Sequence, residues 1–190
     1  MLQKKDESKI MFGTKGVFAV ASSIFSYPHR SFHIRELAKQ NKCSTTAITE
    51  GVRLLTSYNI ITVEKDKLSS KIKANLQVEA YTHYKLIYNL YMLLKGSLLK
   101  NLIAFFKPEC IVLFGSFARG EDIEGSDIDI FILSSRKEEL KTLNEIGNQY
   151  EKALNRKINL HLLSSLSKTG DDFKNALVNG IVLYGYLKVI

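Results

Sequence analysis

The chain has 190 residues, 45% apolar and 24% charged, with 11 Gly and 2 Pro. That composition excludes collagen-like, low-complexity and disordered architectures and suits one large domain or two small ones. The net charge of +8 is uneven: residues 1–80 carry 13 Lys and Arg against 7 Asp and Glu, and the remainder carries 14 against 12. A basic first half predicts a polyanionic partner, nucleic acid before membrane. Two cysteines, Cys43 and Cys110, cannot staple a chain of this size, and Cys110 opens an aliphatic run as a small buried residue. A reducing, cytoplasmic compartment is therefore expected. The charged start MLQKKDESK lacks a signal-type apolar stretch, and the greasiest run, LIYNLYMLL, leaves nine residues between Lys85 and Lys95. A span needs about 20, so a soluble protein without a membrane segment is expected.

Val17, Ala21, Ile24 and Phe25 recur at helical spacing and predict a helix over 14–26, broken at Tyr27-Pro28. A short helix follows over 33–41, with Ile34, Leu37 and Ala38 inward. After a turn at Asn41–Cys43, Ser44 or Thr45 is placed to cap a third helix that turns Ile48, Val52 and Leu55 inward. The runs ITVEK and KIKANLQ, joined by a charged turn around Asp66–Ser70, predict a β-hairpin. Three helices and a hairpin over about 12–78 resemble the winged helix-turn-helix family, and the resemblance implies duplex DNA as partner. Thr45, Thr46, Thr49, Glu50 and Arg53 are the candidates for the groove. Lys65, Lys67, Lys71 and Lys73 on the wing suit phosphates, which position without reading sequence. A winged helix used for protein contacts is the alternative.

From Tyr81 to Phe106 the pattern predicts one long helix, or two joined near Gly96, with an apolar stripe through Tyr84, Ile87, Tyr91, Leu94, Leu98, Leu102 and Phe105. Four tyrosines within eleven residues (Tyr81, Tyr84, Tyr88, Tyr91) fit interdomain packing, a homodimer seam or an acceptor for modification.

The chemistry lies further on. An aliphatic strand over 110–114 runs into Gly115-Ser116, and a helical turn with Ala118, Arg119 and Gly120 follows. A second strand then carries Asp127 and Asp129, with ten residues between Ser116 and Asp127. Side chains alternate along a strand, so the two carboxylates share a face, roughly 6–7 Å apart. Such a pair can hold Mg²⁺ together with phosphate oxygens. Gly115 lets backbone approach a phosphate, and Ser116 with the following amides can donate to it. A P-loop is excluded, because Glu121 and Asp122 stand where Lys and Ser/Thr are required. Glu121, Asp122 and Glu124 read as loop charges.

Gly-Ser, ten residues and Asp-x-Asp together resemble the DNA polymerase β-like nucleotidyltransferase superfamily, in particular its minimal members, over about 95–190. The resemblance implies Asp127 and Asp129 as catalytic metal ligands for Mg²⁺ (or Mn²⁺). It implies Gly115, Ser116, Arg119 and Ser126 as contacts to an NTP, with ATP expected. A helix over 136–154, a strand Lys157–Leu163, a helix over 169–179 and a strand Gly180–Tyr184 continue the family order. Many relatives carry a third carboxylate on that third strand, where this chain has Asn159. An amide can coordinate metal but cannot serve as general base. His161, on the same face, is a candidate base or phosphate contact, against the plainer reading of a packed or solvent-facing histidine. Arg156 and His161 have the Arg-x4-His spacing of ribonuclease toxins that pair with minimal nucleotidyltransferases, but they fall on a predicted strand and are set aside.

The expected class is α+β: a winged helix-turn-helix domain (1–80), a helical connector (81–107) and a small mixed-sheet nucleotidyltransferase domain (108–190). The expected activity is transfer of a nucleoside monophosphate to a hydroxyl. By resemblance, the acceptor is a tyrosine of a partner toxin, with nucleic-acid ends and small molecules still open. The alternative is a winged-helix transcriptional regulator whose second domain senses nucleotide or dimerises without turnover.

Overall fold

A computed structural model describes residues 13–65, 70–136, 140–167 and 169–188, with the side chains of 140–142 also outside the description. The chain divides into two compact units, Met1–Tyr88 and Asn89–Ile190. The boundary falls inside a helix, so the expected connector 81–107 is divided between the units.

In the first unit, α1 (Lys15–Ser26) is capped by Thr14, whose hydroxyl accepts from the Val17 amide, and it buries Val17, Val20, Ala21, Ile24 and Phe25. Short α2 (Ile34–Gln40) buries Leu37 and Ala38. Ser44 caps α3 (Thr45–Ser57) by accepting from the Ala47 amide, as the sequence predicts. Helices α1 and α3 meet backbone to backbone at two glycines. A Cβ on Gly16 would lie 2.1 Å from the Ala47 carbonyl oxygen, and one on Gly51 would lie 2.7 Å from the Gly16 oxygen. Strands β1 (Ile61–Lys65) and β2 (Ser70–Ala74) pair antiparallel with Val63 opposite Ile72. Phe32 adds a bridge by exchanging both backbone hydrogen bonds with Ile72. Strand β2 stops at Ala74, short of the predicted run to Gln77: the Asn75 amide still continues the ladder to the Ile60 carbonyl, and the chain then turns, with the Val78 amide donating to the Asn75 carbonyl at 3.4 Å. Lys67 lies outside the described residues.

The middle segment forms two helices, α4 (Glu79–Lys95) and α5 (Leu98–Phe106). The predicted stripe is corrected along α4. Ile87 and Leu94 are about half exposed and Tyr91 is exposed, while Tyr81, Lys85, Tyr88, Asn89 and Leu93 are buried. The buried face contains a lysine and an asparagine, so hydropathy alone selects the wrong side. Phe105 is exposed as well, with Phe106 buried in its place, whereas Leu98 and Leu102 are buried as expected. In the first unit Tyr88 shares a hydrogen bond with Ser22 at 2.9 Å, and the Phe25 ring lies 5.4 Å from both Tyr81 and Tyr88.

The second unit is built on a four-stranded sheet in the order β5-β4-β3-β6. Its strands are β3 (Cys110–Phe114), β4 (Ile128–Leu133), β5 (Ile158–Leu163) and β6 (Ile181–Gly185). Strand β3 runs antiparallel to β4 and β6, and β4 runs parallel to β5. One face packs Ile111, Leu113, Ile130 and Ile132 against α5 and α7 (Leu140–Leu154) through Leu102, Phe106 and Leu143. The other face packs Cys110, Val112 and Phe131 against Leu177 of α8 (Asp171–Val178). Burial on both faces explains why β3 is unbroken apolar sequence. The short α6 (Gly115–Arg119) leaves the end of β3 directly. Among the described residues no helix is long and apolar enough to cross a membrane.

Candidate active site

The site gathers where β3 ends and β4 begins. Phe114 pairs with Asp129, so the Gly115 turn emerges beside that carboxylate. Gly115 is required there twice over. Its φ is +77°, and a Cβ would meet Asp129 Oδ2 at 2.8 Å. The next residue, Ser116, is partly buried in the first turn of α6, and its carbonyl accepts from the Glu121 amide at 3.0 Å.

Asp129 lies in β4, on the face that also carries Phe131. Asp127, predicted inside the strand, immediately precedes it, because the ladder starts with the Ile128 amide donating to the Lys157 carbonyl. The two carboxylates nonetheless converge. Asn159 of β5 stands opposite Asp129 in register, and its Nδ2 donates to Asp127 Oδ2 and to Asp129 Oδ1, each at 3.0 Å. One neutral amide thus bridges two like charges with charge-assisted hydrogen bonds. His161, two residues further along β5, sits between rings, with centroids 5.3 Å from Phe114 and 5.9 Å from Phe173. Its Nε2 lies 3.5 Å from Asp129 Oδ1 and has no hydrogen-bond partner among the described residues.

The other expected nucleotide contacts stand apart. Arg119 is exposed and paired with Glu121 at 2.7 Å. The Ser126 hydroxyl accepts from the Ile123 amide at 2.9 Å and closes a turn in the loop. Asp122 corrects the reading of this loop as solvated charge: its side chain is 1% exposed and pairs with Arg156 at 3.0 Å. Asn89 of α4 donates to it at 2.7 Å. Nothing in the loop's composition separates Asp122 from Glu121 and Glu124; its partners come from segments 33 and 34 residues away. Arg156 is thereby accounted for in the turn before β5, which supports setting aside its spacing to His161.

In the first unit Thr45, Thr46, Thr49, Glu50 and Arg53 are all exposed on α3, with Thr49 donating to the Thr45 carbonyl. Lys65 and Lys71 are exposed on the hairpin. Lys73 is instead engaged with both oxygens of Glu64, at 2.8 and 2.9 Å.

The model of the family described as Polymerase beta, Nucleotidyltransferase matches residues 97–187, which span the whole site. Residues 97–187 form a nucleotidyltransferase-like domain. No curated protein matches the chain. Among solved structures, the chain is similar to a toxin-antitoxin with AMP-PNP: 25% identity, TM-score 0.39, covering 47% of this chain and 73% of that one. It is also similar to a tri-AMPylated Shewanella oneidensis HEPN toxin in complex with MNT antitoxin: 24% identity, TM-score 0.37, covering 53% of this chain and 73% of that one.

Proposed function

We propose that the chain is a magnesium-dependent nucleotidyltransferase that moves a nucleoside monophosphate, AMP from ATP, onto a hydroxyl acceptor. The observation that carries this reading is the convergence of Asp127 and Asp129 on Asn159 beside the Gly115 turn, within a segment that matches the nucleotidyltransferase family. The donor set suits Mg²⁺, a hard ion that commonly takes one or two carboxylates and completes its shell with phosphate oxygens and water. Asp127 and Asp129 would hold it. Substrate phosphates and water would complete the coordination. Asn159 can add its amide oxygen by rotating about its last bond. Bound magnesium supplies Lewis-acid stabilisation of charge on the transferring phosphoryl group and the leaving pyrophosphate.

The chain's own residues do the rest. Gly115 keeps the turn free of side chain, and the Ser116 hydroxyl would be a neutral donor for a phosphate oxygen. Arg119 joins the nucleotide contacts by exchanging Glu121 for a phosphate, and the Ser126 hydroxyl donates to the nucleotide while still accepting from the Ile123 amide. The acceptor oxygen bonds to the α-phosphorus, the bond from that phosphorus to its bridging oxygen breaks, and pyrophosphate leaves with the electron pair. His161 Nε2, beside Asp129 and without a hydrogen-bond partner among the described residues, would be positioned to take the hydroxyl proton or to touch a phosphate. A tyrosine of a partner toxin is the proposed acceptor, on the resemblance to minimal nucleotidyltransferases that act as antitoxins. The test uses α-labelled ATP, Mg²⁺ and a candidate toxin, with wild type and Asp127→Ala/Asp129→Ala side by side. Label on the toxin with pyrophosphate release, absent in the double variant, supports the reading. Label that persists in the double variant removes the metal assignment.

A second reading has its own support. Three helices, a hairpin and a row of exposed Thr45, Thr46, Thr49 and Arg53 on α3 suit a winged helix in a DNA major groove. Asn159 in place of a carboxylate favours a transcriptional regulator whose second domain senses nucleotide or dimerises without turnover. Sequence-selective, salt-dependent duplex binding without NTP turnover supports this regulator. Absence of DNA binding even at low salt makes the first unit a protein-contact module.

A further inference from the structure

We infer that Asp122, with Arg156 and Asn89, is a positioning device that fixes Asp127 relative to Asn159; the inference rests on the nucleotidyltransferase reading of that site. Between α6 and β4 the chain crosses residues 120–127 without regular structure, yet it must deliver Asp127 to within 3.0 Å of the Asn159 amide. The end of the loop is a self-contained turn: the Ile123 amide donates to Ser126 Oγ at 2.9 Å and the Ser126 amide to the Ile123 carbonyl at 3.1 Å. These bonds shape the turn but do not attach it to anything.

The attachment is made by side chains. Arg156 is a fork: one nitrogen donates to the Ile123 carbonyl and the other to Asp122 Oδ2 at 3.0 Å. Asn89 Nδ2 donates both to Asp122 Oδ1 at 2.7 Å and to the Phe117 carbonyl of α6 at 3.0 Å. The acid and the guanidinium are 1% and 8% exposed, so the pair is held in low dielectric with defined geometry. A buried ion pair of this kind gains little net stability over apolar packing. Its effect here is placement. Asp122 stands five residues before Asp127, and Arg156 stands three before Asn159. One ion pair therefore ties together the two segments that lead into opposite sides of the carboxylate–amide cluster. On the Arg156 side the segment is itself secured, since the Ile158 amide donates to Glu151 Oε1 at 3.0 Å. A lysine cannot replace the fork, because a point charge does not span the Ile123 carbonyl and the Asp122 carboxylate together.

The experiment compares full-length wild type, Asp122→Asn and Arg156→Lys by hydrogen exchange and by Mn²⁺ titration followed by electron paramagnetic resonance. Both substitutions keep a side chain of similar size, and exchange in β3 and β4 reports whether the unit stays folded. The expected result is faster exchange confined to residues 120–127, protected strands, and Mn²⁺ affinity weakened about tenfold, the scale on which outer partners tune a metal site. Unchanged exchange in the loop with unchanged Mn²⁺ affinity overturns the inference, as does loss of protection spread uniformly through the sheet, which marks a purely structural pair. Wild type that binds no Mn²⁺ overturns the metal-site reading itself, and with it this inference. Failure of the inference alone leaves wild-type binding intact.

Discussion

Asn159 lies directly across the parallel β4–β5 pair from Asp129 and donates to it at 3.0 Å, with the same nitrogen at 3.0 Å from Asp127. In a site that gathers two carboxylates, this amide offsets their repulsion. Asn159→Asp removes that donor and adds a third negative charge. Without metal, the variant is expected to lose about 1.5–3 kcal/mol, the scale of a hydrogen bond to a charged group. With metal, the order reverses, because a third carboxylate binds a divalent ion better than an amide. A thermal unfolding series with and without Mg²⁺ reads both effects, and an Mg²⁺-induced rise in Tm no larger in the variant than in wild type counts against the assignment.

Gly115→Ala tests the turn. The new methyl would stand 2.8 Å from Asp129 Oδ2 at a φ of +77°, so Asp129 must shift or the turn must open. The left-handed conformation alone costs about 1–2 kcal/mol. Unfolding in urea should show a loss of that order, and metal and nucleotide binding should fall much further than stability does.

Gly51→Ala tests the helix crossing in the first unit. The Cβ would lie 2.7 Å from the Gly16 carbonyl oxygen, and overpacking of this kind costs about 1–3 kcal/mol. Since the displaced atom is backbone, α1 and α3 must separate. Urea unfolding of the full chain should show an early transition with exchange protection lost in residues 15–57 and kept in the sheet of the second unit.

The hairpin lysines are not equivalent. Lys73 is occupied by Glu64 at 2.8 and 2.9 Å, whereas Lys71 is exposed. If the first unit binds duplex DNA, Lys71→Ala should weaken binding at all sequences and lower the salt slope by about one. Lys73→Ala should change it less. Arg53→Ala, on the exposed face of α3, should reduce discrimination between sites as well as affinity. Filter binding across a salt series separates the three.

Burial pushes the Cys110 thiol above its ordinary value of 9.0 and leaves its sulfur inaccessible within the sheet. The folded state thus retains this proton where the unfolded chain releases it. The stability from Cys110 is fully present below the ordinary thiol value and falls as pH rises through and beyond it. Cys110→Ala should flatten that alkaline fall, measured as urea midpoints from pH 7 to 10. Native alkylation should label Cys43, which is partly exposed, before Cys110.

Legibility in the sequence followed how local the determining interaction is. The cap Ser44 acts within three residues and is readable from its type alone. Strand alternation placed Asp127 with Asp129 and Asn159 with His161, because the period of two is a property of the strand itself; that the two pairs share a site was implied by the family resemblance. The α4 face was misread because its buried side includes Lys85 and Asn89, polar groups whose burial depends on partners distant in sequence. Asp122 was missed for the same reason. The Gly16–Gly51 crossing also escaped the pattern, since an apolar stripe marks which face is buried but not how closely two backbones approach. The hairpin's early end at Ala74 comes from the turn that the Val78 amide closes on the Asn75 carbonyl, which strand propensity along KIKANLQ does not encode.

The most direct measurement is calorimetric titration of the full chain with each NTP in Mg²⁺, comparing wild type with Asp127→Ala/Asp129→Ala. It needs no acceptor. The account predicts metal-dependent binding, strongest for ATP, that is lost in the double variant while the protein stays folded. Absence of binding to wild type at millimolar nucleotide, or binding that survives loss of both carboxylates, would contradict it.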